Sequence, residues 1–309
     1  LGPRRIWRTP AAPAWHRHNP CRLRRAAAGL DARYDILAPD LPGHAASPPL
    51  SDRPTIGAIT DALEADLDTL GLGRVHVLGS SVGARIALEL AIRGRARSVV
   101  AIAPSGLGLP PERAYQGAVM STARVLMRTI RPMIDVAARV PMGRALLLTN
   151  LRAAPWLSSE AEARALREGF AESPDFWQQL WWAVLADVPL GLQKIQCPVV
   201  LAHGTTDVMS AAPTLRYLTM VPRSRFQPLF GGGHAPHSDA PGAILGLVRQ
   251  ATAEPDRPIR RRCSPMASSC RGHAPPSAAP WSADPLLPEG VWADPTRRQP
   301  AIPTWIEGA

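Results

Sequence analysis

The stretch VLGSSVGAR, residues 77–85, limits the fold of this chain more than any other part of it. The apolar, β-branched run RVHVL leads into it, and ARIALELAI follows with helical spacing. Gly79-Ser80-Ser81-Val82-Gly83 fits G-x-S-x-G, a strand-to-helix corner with a serine at its apex. The spacing has a steric cause. The apex residue takes a strained backbone conformation, and strand and helix come so close that the positions two before and two after it must lack bulk. A plain Gly/Ser turn would need neither flanking element.

The rest of residues 34–250 agrees with such a corner. Short β-branched runs (YDILAP, RVHVLG, RSVVAIA, CPVVLAHG, RFQPLFG) alternate with helix-like segments such as ITDALEADLDTLGL. Strands and helices alternating at this length predict an α/β fold, a doubly wound and mostly parallel sheet with helices on both faces. Between Pro104 and Ile195 the alternation stops. Helical patterns fall over Arg113–Arg128, Pro132–Ala138, Ser159–Phe170 and Pro174–Ala186, with Ser158 or Ser159 capping the third and Ser173-Pro174 opening the fourth. Residues 108–190 therefore read as a helical cap inserted between the core segments 34–107 and 191–250.

The two ends are different in kind. Residues 1–33 carry eight arginines and a single acid, and show neither a period of 2 nor one of 3.6. Residues 251–309 hold 11 prolines and read as a disordered, Pro/Arg-rich tail. The net charge of +10 sits mostly in the first 33 residues. A basic face for nucleic acid on the folded part is therefore not expected. Arginine outnumbers lysine 34 to one, and the ends hold three of the four cysteines and five of the nine tryptophans. Two explanations stand: a coding frame shifted before about residue 30 and after about residue 250, or genuine disordered arms. Retranslation separates them, since the first requires another frame that yields an apolar strand followed by His-Gly. The cysteines (Cys21, Cys197, Cys263, Cys270) have neither metal-site nor disulfide spacing. No apolar signal core and no run of 18 apolar residues is present, so the expected location is the cytoplasm, without a membrane partner.

A serine needs a base, and the base needs an orienting acid. CPVVLAHGTTD reads as a strand ending in a turn, which puts Asp207 at the strand's carboxyl edge. RFQPLFGGGHAPH does the same for His234. Open α/β sheets collect ligands at that edge, and Ser…Asp…His is the chain order of serine nucleophiles on such corners. Ser81, Asp207 and His234 are the catalytic candidates, with the Val82 amide as oxyanion donor. The competing groups read as structural: His237 as a surface-loop residue, His203 as a turn partner, His44 as a loop residue, Ser80 as one step off the apex. Asp239 breaks the order, and the strand SVVAIAP ends in Ser105-Gly106 with no carboxylate.

Residues 34–250 resemble the α/β-hydrolase family at four blocks: YDILAPDLPGHAAS, GSSVG, HGTTD and GGGHAPHSDAP. The resemblance implies the doubly wound sheet, the cap, and no metal or organic cofactor. It also implies that His234 takes the Ser81 proton, that Ser81 attacks a carbonyl while Asp207 steadies the imidazolium, and that water releases the acyl group. The family further places an apolar strand ending in His-Gly before the DLPGH block, between the strands of YDILAP and VHVLG, and its loop supplies a second oxyanion amide. Nothing in 1–33 fits that strand. N-terminal strands are expected to be missing or replaced, which would leave a gap beside VHVLG costing about 1–3 kcal/mol per buried orphaned backbone group.

Two functions follow. The first is a serine hydrolase for a small, largely apolar ester or related acyl compound, with cap residues Trp177, Trp181 and Met120 offering apolar contact surface; carbon–carbon bond hydrolysis and perhydrolysis share its triad. The second is a non-catalytic binding protein of the same fold, lacking the oxyanion loop. The partner in either case is a small molecule, and the sequence gives no handle on oligomeric state.

Overall fold

A computed structural model describes residues 34, 36–44, 47–149, 151–207, 209 and 211–253, together with the backbone of 303–307. The Ser81 corner joins β1 (Val75–Ser80) to α2 (Val82–Ile92), preceded by α1 (Ile56–Thr69) and followed by β2 (Ala96–Ile102). The helical insertion between β2 and β3, which the sequence reads as a cap and which keeps that label below, comprises α3 (Pro110–Thr129), α4 (Arg131–Ala137), α5 (Pro141–Leu148), α6 (Glu160–Glu172) and α7 (Phe176–Gln179), which continues as a π-helix over Leu180–Leu185. The core resumes with β3 (Val199–Gly204), α8 (Ala211–Met220), β4 (Ser224–Leu229), α9 (Pro236–Asp239) and α10 (Pro241–Ala253). A last strand, β5, spans Pro303–Glu307.

The sheet order is β4-β3-β2-β1-β5, and each of its four pairings is parallel. Strands β1, β2 and β3 read as near-continuous apolar runs because both their faces are covered, whereas the edge strand β4 is largely exposed. Val77, Val99, Ala101, Val199 and Leu201 point into the larger core with α1 and α2. Their neighbours Leu78, Val100, Ile102, Val200 and Ala202 point the other way, against Ile244, Leu247 and Val248 of α10. One alternation thus fills two cores.

The expected gap beside β1 is not there. Backbone from the far end of the chain fills it: His76 to Ser80 pair in register with Pro303 to Glu307. The reading of 251–309 as disordered is thereby corrected at both margins, since α10 also runs on to Ala253. The physical reason is β1 itself, a buried strand that would otherwise leave a row of N–H and C=O groups unpaired. PTWIE supplies the β-branched and aromatic residues that a strand favours. The expectation of a strand at YDILAP is also corrected, because Leu37 forms only an isolated bridge. Residues 1–33 and 254–302 lie outside the described residues, so the readings made of them stay with the sequence.

In the cap, Ser159 caps α6 as expected, accepting from the Glu162 amide while Glu162 accepts from the Ser159 amide. The fourth helix starts at Phe176 rather than Pro174; the Ser173 hydroxyl is turned to the Gly43 carbonyl instead. Helix α5 has no counterpart in the sequence reading. Among the described residues, no helix is long and apolar enough to cross a membrane.

Candidate active site

Parallel strands send their carboxyl ends to one edge, and the three candidate side chains follow three of those ends. Ser81 has φ 54° and ψ −118°, a conformation that side chains rarely adopt. Its surroundings enforce the strain. The Ser81 amide donates to the Ile102 carbonyl at 2.9 Å, and its own carbonyl accepts from Arg85 at 3.1 Å and from Ser105 at 3.3 Å. A Cβ on Gly79 would stand 2.2 Å from the Gly83 carbonyl oxygen, so the strand and helix approach closely enough here to exclude a side chain at Gly79. Ala103, just past the end of the neighbouring β2, has φ 49°, and its amide donates to the Ala202 carbonyl at 2.9 Å. The first-turn amides of α2, Val82 among them, have no acceptor within the helix and carry its positive end.

The acid and the histidine meet directly. His234 Nδ1 lies 2.9 Å from Asp207 Oδ2, and the other Asp207 oxygen accepts from the Met209 amide at 2.8 Å. The Asp207 side chain is fully buried, and that of His234 is 12% exposed. A proton held on Nδ1 by the carboxylate leaves Nε2 with its lone pair, the state a general base requires. The two loops are stitched together: Thr206 donates to the Gly232 carbonyl through both its amide and its hydroxyl. Gly204 has no room for a side chain, since a Cβ there would meet the Gly233 oxygen at 2.2 Å.

His203 is a turn partner, as the sequence predicts: its Nε2 donates to the Asp207 carbonyl at 3.0 Å. His44 lies in the Pro42–Gly43 turn, 3.4 Å from the Pro42 carbonyl. His237 departs from its reading as a surface residue, being only 6% exposed on α9. Trp177 and Trp181 are about half exposed, Trp177 standing edge-on to the buried Phe176, and Met120 packs part-buried against the larger core. The structure thus brings Asp207 and His234 together, sets Ser81 on the same sheet edge, and carries the three apolar candidates on helices of the insertion.

Three side chains tie the cap to neighbouring segments of the core. Gln116 donates to the Met209 carbonyl beside the acid, at 3.0 Å, and Gln179 to the Pro42 carbonyl, at 2.7 Å. Arg152 donates to Asp239 behind the histidine, at 2.7 Å. Its entry and exit are pinned by a buried cluster that sequence reasoning missed. Arg85 on α2 donates to Asp187 at 2.8 Å, and Tyr217 donates to the Ser105 carbonyl. Burial pushes the Asp187 carboxyl above the usual carboxylate range, against the pull of Arg85, and it raises the Tyr217 hydroxyl as well. Nothing in the local sequence flags these residues. The described residues contain no group of three or more side chains suited to a metal ion.

Comparison with known proteins adds an independent line. The sequence pattern of the alpha/beta hydrolase family matches residues 4–247, reaching back into the arm where no family strand is legible. An epoxide hydrolase of Mycobacterium tuberculosis, EphH, is 31% identical over 198 residues, covering 62% of this chain and 91% of that protein. The enol-lactonase of Burkholderia xenovorans LB400 superposes with a TM-score of 0.61 at 20% identity, over 75% of this chain and 86% of its own. The meta-cleavage product hydrolase of Pseudomonas fluorescens IP01 gives 0.57 at 17% identity, over 75% and 84%. At such identities the two structures share the fold.

Proposed function

The chain belongs to the alpha/beta hydrolase family, and from that membership we propose that it is a serine hydrolase of a small, largely apolar ester or related acyl compound. The observation that carries the reading is a strained serine at the strand-to-helix corner, on the same edge as a histidine already bonded to a buried carboxylate. In this reading His234 Nε2 takes the Ser81 proton as Oγ bonds to the carbonyl carbon. Asp207 stabilises the imidazolium, and the Val82 amide faces the developing oxyanion. The imidazolium then protonates the leaving alkoxide, which departs as an alcohol and leaves an ester on Ser81. His234 next deprotonates a water that attacks this ester, and the acid is released with Ser81 restored.

The likeness to an epoxide hydrolase does not carry its substrate over. Opening an epoxide through an enzyme-bound ester needs a carboxylate at the corner, and Ser81 offers a hydroxyl. The cap favours apolar acyl groups, with Trp177, Trp181 and Met120 as the surfaces proposed to meet them. A fluorophosphonate probe tests the assignment. The wild-type protein should label, and Ser81→Ala should lower labelling and ester turnover by about 1000-fold or more. Folded wild-type protein that resists the probe would point to the non-catalytic binder instead. Activated esters of increasing acyl length then locate the substrate class.

A further inference from the structure

Asp239 breaks the order of a triad, yet its side chain is 1% exposed. One oxygen accepts from the Arg152 guanidinium at 2.7 Å. The other accepts from two amides, those of Ala153 and Gly233, each at 3.0 Å. Gly233 immediately precedes His234. The residue that follows, Ala235, donates its amide to the Leu151 carbonyl at 2.8 Å. Both peptide neighbours of the histidine are therefore fixed to cap residues 151–153, one directly and one through Asp239. A Cβ on Gly233 would stand 2.6 Å from the Leu151 oxygen, so loop and cap touch without intervening side chains.

Asp207 alone cannot set the position of the imidazole. The direction from which the ring approaches Asp207 is set by the backbone that carries it, so fixing residues 233 and 235 fixes the imidazole as well. We infer that Asp239 and Arg152 are positioning residues that hold His234 in register with Asp207 and tie that register to the seating of cap segment 151–153. The inference rests on His234 being the base in the proposed reaction. It predicts that loosening the cap at this point lowers proton-transfer competence before it lowers substrate binding. The titratable or charged groups on the elements packed around this loop are Asp207 and His203 on the acid side, His237 and Asp239 on α9, and Arg152 with Glu162 in the cap.

The test uses the full chain with Asp239→Asn, Arg152→Met and Arg152→Lys. Asp239→Asn should slow fluorophosphonate labelling of the folded fraction by about 10- to 100-fold. It should move the pH midpoint of labelling downward, because the imidazolium loses part of its contact with Asp207, and it should lower kcat more than it raises KM. Arg152→Met should act in the same direction, while Arg152→Lys, which keeps the charge, should recover most of the rate. A labelling rate and pH midpoint identical to wild type, once corrected for folded fraction, would leave the pair a purely structural contact. A second measurement does not depend on serine chemistry: amide hydrogen exchange at Gly233 and Ala235 should speed up in Asp239→Asn, and unchanged exchange there overturns the inference. Failure of the wild-type protein to label strikes at the hydrolase reading alone, since the exchange result still decides the positioning role.

Discussion

The sheet and the cap use the same apolar residue types to opposite effect. Leu201 in β3 has no exposed surface, and Val99 and Ile102 in β2 match it. Leu146 in α5 is 77% exposed, Met142 73% and Met133 on α4 67%. A parallel sheet covered on both faces leaves its strands nowhere to move, whereas the cap's short helices bury one side and are tied to the site by separate polar contacts from Gln116, Arg152 and Gln179. The contrast assigns the work. In the proposed reaction, chemistry that depends on fractions of an ångström would sit on the sheet's edge, and the part proposed to accommodate a substrate is fastened at points.

The contrast can be broken by paired substitutions. The largest effect is expected at Gly79→Ala, whose new methyl would sit 2.2 Å from the Gly83 oxygen. It should cost about 3 kcal/mol or more, read as a collapse of the urea midpoint or failure to fold. Its cap counterpart, Gly117→Ala, meets only the tip of Leu185 at 3.2 Å. There the gain in helix propensity should offset the contact, and stability should stay within about 1 kcal/mol of wild type.

Leu201→Ala follows, at about 2–5 kcal/mol for a fully buried leucine, against a change within about 0.5 kcal/mol for Leu146→Ala. Equal losses at the two leucines would show that the cap's outer face is covered in solution. The smallest effect has the opposite sign. Ser81→Gly relieves the left-handed backbone and should raise stability by about 1 kcal/mol in chemical denaturation while abolishing probe labelling.

What could be read from the sequence tracks the same division. Strands β1, β2 and β3 were legible because two covered faces make near-continuous apolar runs, and β4, an exposed edge strand, because its short run ends in a Gly turn. Ser81, Asp207 and His234 were legible because each follows such a run. β5 was not, since nothing in PTWIE names its partner and the pairing it makes is set by the free edge of β1. Helix α5 was missed because PMGRALLL has too few polar residues to display a helical period. The roles of Asp187 and Asp239 stayed hidden for a different reason. Each is defined by an arginine about a hundred residues away, Arg85 and Arg152, and by backbone groups that only the finished fold brings near.

The register of β5 against β1 links positions more than two hundred residues apart. Contacts of such sequence separation form late, because the chain entropy lost in closing them is large. During refolding, helical signal should therefore return well before β1 gains its second neighbour. In that interval the backbone of His76 to Ser80 presents an open hydrogen-bonding template, and stray chains can dock there. Aggregation during recovery from denaturant should begin at this strand rather than in the greasier cap.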